Sequence, residues 1–266
     1  MDTLEASVDQ TVSGRREVLA KIGLRRWPVL TAIVFAVTAA VNFAQFAAPA
    51  VLTHLERTPA GRHGDWWRSG TSLFVQDGGA AGTISNLLFL VVVGVAAEQI
   101  SARWAWLVAY LGAAAAGEAV GYAWQPTGGG NSIAVCGLAA LIAIALWRHD
   151  PRMAPFGPFV MLLWTGALLA TWIFPVAIVG LVAAAASNTP GAWQRRYAPQ
   201  CAVAFVVAVG VLLCAVRNIH GAALLAGLAI AVAVHRRPGA TTVEQIEDAG
   251  KRPTSDDGRR YAHREA

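Results

Sequence analysis

The chain alternates between long apolar runs and short polar connections. Apolar runs cover Trp27–Leu52 and about 80–98, 104–124, 132–147, 156–174, 175–187, 200–216 and 219–235. A helix needs roughly 20 apolar residues to cross a bilayer. The pattern predicts an all-α polytopic membrane helix bundle of about eight transmembrane helices. The first run is too long for a signal-peptide core of about 7–15 residues and reads as a retained span. The run at 175–187 is short and begins at Pro175. It reads either as a span of its own or as a kinked continuation of the preceding helix. Residues 53–78 form a polar loop with aromatic residues in it.

The flanks set the domain boundaries. Residues 1–26 are expected to be a cytoplasmic N-terminal tail, 27–237 the transmembrane domain, and 238–266 a disordered cytoplasmic tail of mixed charge. Alternating the spans from a cytoplasmic N-terminus leaves only Arg57, Arg62, Arg68 and Arg217 outside, 4 of 21 basic residues. Cytoplasmic loops of membrane proteins carry the basic excess, so the chain is expected to be multi-pass in the plasma membrane with both termini inside.

Composition agrees with this reading and removes other classes. Hydrophobic residues make up 56% and charged residues 14% of the chain, against about 25% charge in soluble domains. A soluble enzyme, a disordered chain and a nucleic-acid reader are therefore disfavoured. Cys136, Cys201 and Cys214 all lie in apolar runs, so no disulfide scaffold is expected. No CxxC or HExxH pattern occurs, so neither a metal nor a cofactor is expected.

In so apolar a chain, polar residues inside spans require a reason. Asn86 lies a turn or two below the outer end of the second span. Ser132 starts the fourth, after Gly128-Gly129-Gly130-Asn131, and His220 lies just inside the outer end of the last. All three fall at one depth. Asn218 is a plausible N-cap for the last helix. His220, Ala223, Gly227 and Ala231 share one helix face, as do Ser132, Cys136, Ala139 and Ala143. Small stripes let membrane helices approach closely, which would bring Ser132 Oγ to His220. Each residue also has a plainer role: Ser132 as a cap, His220 as an interfacial residue, Asn86 as an interhelical contact. Glu118, in the third span, is expected to pair with a loop group rather than to carry protons.

These residues together resemble the rhomboid family of intramembrane serine proteases. Gly64-Asp65-Trp66-Trp67-Arg68-Ser69-Gly70-Thr71-Ser72-Leu73-Phe74 resembles the family's GxWWRxxTSxF block. Asn86-Leu87-Leu88-Phe89-Leu90, with Gly94 and Glu98 further on, resembles its second helix. Gly130-Asn131-Ser132-Ile133-Ala134-Val135-Cys136-Gly137 resembles the nucleophile motif GxSGAxxG, and His220 with Gly227 the histidine helix. Four positions depart from the pattern. Ile133 stands for the second Gly of GxSG, Cys136 for an aromatic, Gly82 for a common helper histidine, and Ala223 for the first Gly of the histidine helix.

The resemblance implies a six-helix core, and two additional apolar runs between Ser132 and His220 read as extra spans beyond it. It implies Ser132 as nucleophile and His220 as general base. It also implies Asn86 and the Ser132 backbone N–H at the oxyanion, and Trp67 and Arg68 shaping the outer loop. Transmembrane proteins in the lipid bilayer would be the substrates. No acid lies near His220 in sequence, so a dyad is expected, with the histidine held by packing. Two other readings remain open at this level: a catalytically inactive rhomboid-like protein that binds transmembrane helices, and a small-molecule transporter.

Overall fold

The structure, a computed structural model, describes residues 23–170 and 192–235 together with Leu19. Seven long helices stand among the described residues: α1 (Val29–Ala47), α2 (Gly79–Ile100), α3 (Arg103–Trp124), α4 (Ser132–Trp147), α5 (Gly157–Ala170), α6 (Ala192–Ala215) and α7 (Ile219–His235). No strand occurs among them; the one isolated bridge pairs Arg57 with Gly128. Val29–Ala47 and Gly79–Ile100 are long and apolar enough to cross a membrane, and shorter apolar helices accompany them. The count of about eight spans is not reached within the described residues. The run at 175–187 lies outside them, as do residues 1–18 and 238–266. One compact unit ends at Val232, and only Ala233–His235 of the second are described.

The first apolar run does not form one helix. It breaks at Ala48, whose backbone is extended (φ −139°, ψ 95°), because Pro49 disfavours a helical residue before it. A separate short helix, Ala50–Leu55, follows. The predicted loop 53–78 is itself structured by helical turns at Pro59–Arg62, Arg68–Thr71 and Ser72–Phe74. The helix expected over 200–216 starts earlier, at Ala192, and contains Pro199.

Helix α4 is the hub. Its sequence is apolar all round, and every residue from Ile133 to Ala145 is buried, as expected for a helix with neighbours on all sides. It packs against α2, α3, α5 and α6. Small residues set the closest approaches. A Cβ at Gly137 would collide with the backbone carbonyl of Ala109 on α3. A Cβ at Gly227 on α7 would lie 2.8 Å from Gly137 Cα and 3.2 Å from Ala140 Cβ. The stripe predicted on the last helix therefore faces α4, with Gly137 and Ala140 rather than Ala139 as its partners there.

At the opposite end of the bundle, Glu98 closes the start of α1. Its carboxylate accepts from the backbone N–H of Leu30 (3.1 Å) and Thr31 (2.9 Å) and from Thr31 Oγ1 (2.9 Å). These N–H groups have no partner within their own helix, and the negative charge suits its N-terminus. Gly94 gives Thr31 the room to approach, since a Cβ there would stand 2.8 Å from Thr31 Cγ2.

Candidate active site

A cavity of about 600 Å³ opens at the end of the bundle where α4 and α7 begin. Asn86, Ser132 and His220 all line it, as their common depth predicted.

Ser132 is the first residue of α4. Asn131 precedes it as N-cap but makes no side-chain capping bond. The Ser132 N–H, in the first turn, has no acceptor within the helix. The loop before it needs glycine: Gly128 has φ +142° and Gly130 φ +146°. Paired bonds between Arg57 and Gly128 (2.9 and 3.1 Å), and Gly130 N–H donating to Ser72 O (2.8 Å), pin this loop to the long first loop.

His220 is presented by a tight turn between α6 and α7. Arg217 adopts the left-handed conformation (φ +56°), and Asn218 N–H donates to Leu213 O (2.8 Å). This bond, five residues back, is the Schellman way of ending a helix. Asn218 then starts the next one: its Oδ1 accepts from the His220 backbone N–H (2.9 Å), which is the N-cap contact expected from sequence. The same Oδ1 lies 2.7 Å from His220 Nδ1, and His220 Nε2 lies 2.8 Å from Ser132 Oγ. An amide oxygen can only accept, so Nδ1 carries the ring proton and Nε2 is the acceptor for the serine hydroxyl. The sequence predicts a histidine held by packing in place of a third acid; the Asn218 amide also holds it.

Asn86, about two turns into α2, donates through Nδ2 to Gln76 Oε1. Trp67 is 42% exposed and lines a second, largely apolar cavity with Leu111, Ala114 and Ala115, so it lies outside the Ser132 cavity. Arg68 ties the first loop to itself, donating to Asp65 Oδ2 (3.0 Å), Thr53 O (2.9 Å) and Glu56 O (3.1 Å). Glu118 pairs with a loop group as expected. Its Oε1 lies 2.7 Å from Arg57 Nη1 and accepts from Ser72 Oγ at 3.0 Å, all three residues being buried.

The departures from the motif have local compensations. Ile133 is accommodated by Gly117 on α3, where a Cβ would stand 3.1 Å from the Ile133 side chain. Cys136 is fully buried, and its Sγ donates to Ser132 O at 3.3 Å. At Gly82 the missing side chain leaves space that the Gln76 amide fills, its Nε2 lying 2.9 Å from where a Cβ would stand.

Residues 63–178 match the family model described as the Rhomboid domain. This match supports a rhomboid-family member. The match contains Trp67, Arg68, Asn86 and Ser132 and ends before His220, so the histidine joins the group through its 2.8 Å contact. No curated protein and no solved structure matches the chain. Rhomboid-family proteins are integral membrane proteins that act on transmembrane substrates in the bilayer. The sequence pattern does not reveal the orienting role of Asn218 or the positions of Gln76, Gln45 and Arg57. The spacing Asn-x-His at a helix start was the one signal available for Asn218. The others depend on which loop residues fold back onto the bundle.

Proposed function

We propose that this chain is an intramembrane serine endopeptidase that cleaves transmembrane proteins through a Ser132–His220 dyad. The observation that carries the reading is the directed chain from Asn218 Oδ1 to His220 to Ser132 Oγ, at 2.7 and 2.8 Å. It supplies the required tautomer before substrate arrives. A nucleophile and base within about 2.6–3.2 Å, the base oriented by a third group, is the general signature of an activated serine.

In the reaction, Ser132 Oγ attacks the scissile carbonyl as His220 Nε2 takes its proton. The Asn218 oxygen stabilises the imidazolium that forms. The Ser132 backbone N–H and the Asn86 side chain donate to the developing oxyanion, the interaction that grows most in the transition state. His220 then returns the proton to the leaving amine, which departs and leaves an acyl-enzyme on Ser132. Water, deprotonated by His220, attacks the ester and regenerates the hydroxyl. Trp67 and Arg68 shape the loop beside the site. No cofactor enters this sequence of steps. The site lies towards the outer face of the plasma membrane, with both termini cytoplasmic.

A fluorophosphonate probe tests the reading on the full chain in detergent. Wild type is labelled, whereas Ser132→Ala and His220→Ala are not. A folded wild type that neither labels nor cleaves a transmembrane reporter overturns it. Binding of transmembrane helices without turnover would then assign the chain to the inactive helix-binding class.

A further inference from the structure

Gln76 precedes α2 and has no part in the dyad, yet it is buried in the wall of the Ser132 cavity. Its backbone is clamped at two points by one side chain of α1. Gln45 Nε2 donates to Gln76 O at 2.6 Å, and Gln76 N–H donates to Gln45 Oε1 at 2.9 Å. Gln45 is itself buried. With its main chain fixed in this way, the Gln76 side chain enters the cavity and accepts from Asn86 Nδ2 through Oε1.

Two glycines keep space for this pair of amides. A Cβ on Gly130 would stand 2.6 Å from Gln76 Oε1 and 3.1 Å from Asn86 Nδ2. A Cβ on Gly82 would stand 2.9 Å from Gln76 Nε2. The amides therefore lie between the first turn of α2 and the backbone two residues before Ser132.

An asparagine side chain presents an acceptor or a pair of donors depending on which way its amide is turned. An oxyanion needs the donors. We propose that Gln76, clamped by Gln45, is a positioning residue that turns Asn86 so that Nδ2 faces the reacting carbonyl. One Nδ2 hydrogen goes to Gln76 Oε1 and the second remains for the oxyanion. The inference rests on the protease reading and deepens it. The orientation is built into the apo site and costs nothing at the moment of reaction.

The test is steady-state cleavage of a transmembrane reporter by the full chain in detergent. Asn86→Ala lowers kcat by about 10²–10³-fold, the usual loss for one oxyanion donor. Gln76→Leu lowers kcat at least about 10-fold with KM within about twofold, and adds nothing in the Asn86→Ala background, because a positioning residue acts only through its target. Gly82→Ala is the second variant. It improves helix propensity, so the fold is kept, while its methyl displaces the Gln76 amide. It lowers kcat several-fold in the wild-type background and has no effect beside Gln76→Leu. Wild-type kcat in Gln76→Leu, or losses that multiply with Asn86→Ala, overturn the inference and leave the protease reading standing. A wild type without Ser132-dependent cleavage overturns both.

Discussion

Asn218 Oδ1 serves two donors of His220 at once: the backbone N–H at 2.9 Å and the ring Nδ1 at 2.7 Å. One oxygen thus begins the helix that carries the histidine and fixes the tautomer of its ring. The substitution Asn218→Ala removes both functions. The lost cap is expected to cost about 1 kcal/mol of stability. The lost orientation is expected to lower kcat about 10-fold or more, since a histidine free to hold its proton on Nε2 cannot accept from serine. Asn218→Asp keeps the acceptor and the cap, and is expected to retain most of both. Thermal unfolding and reporter cleavage, measured on the same preparations, separate the two effects.

Ile133 and Gly117 complement each other, with bulk beside Ser132 and its absence on the facing helix. Gly117→Val is expected to destabilise the fold by about 1–3 kcal/mol through overpacking. Adding Ile133→Ala is expected to recover most of that loss, because the two side chains compete for one space. A double-mutant cycle in detergent with no coupling would sink this account.

Arg57 and Glu118 form a buried ion pair with side-chain exposures of 3% and 6%. Breaking one side strands the other charge, so Arg57→Met alone is expected to cost about 3–5 kcal/mol. The double change with Glu118→Leu is expected to be much closer to wild type. Because the Arg57 backbone also bridges Gly128, the single variant is expected to loosen the loop before Ser132 and lower labelling by the fluorophosphonate probe. Full labelling by a destabilised Arg57→Met protein would separate the loop from the site.

Gly227 lies at a close approach of α7 to α4. Its neighbour is the Gly137 backbone, which cannot rotate away as a side chain can. Gly227→Val is therefore expected to push the helices apart, weaken the contact between His220 and Ser132, and abolish labelling. The conservative Leu225→Met, on the α6 side near Gly210, is expected to leave labelling intact.

Much of this site was legible because the chain is so apolar. Asn86, Ser132 and His220 stood out against their runs, and the small stripe on α7 was readable at helical spacing. Other features could not be read in that way. The break at Pro49 lay inside a hydropathy run too continuous to show it. The roles of Gln76, Gln45 and Arg57 come from loop-to-helix contacts 31 and 61 positions apart, which no local pattern encodes. Asn218 was visible as a cap, but one sequence cannot indicate that its oxygen serves a second donor. The motif departures read alone as losses. Gly117 and Gln76 show that at two of them, Ile133 and Gly82, a neighbouring residue fits the altered space.

Helix α4 has 16 residues, a rise of roughly 24 Å at about 1.5 Å per residue. A bilayer core is roughly 30 Å thick. If its far end meets the opposite interface, a helix this short leaves Ser132 short of the lipid headgroups. On the protease reading, Ser132 would then lie several ångströms below the surface, and the cavity above it would be the well through which hydrolytic water descends. Depth at this site is set by where one helix begins. Moving the start of α4 by a single turn, about 5.4 Å, would carry the serine most of the way from a wet interface to a dry interior, or back.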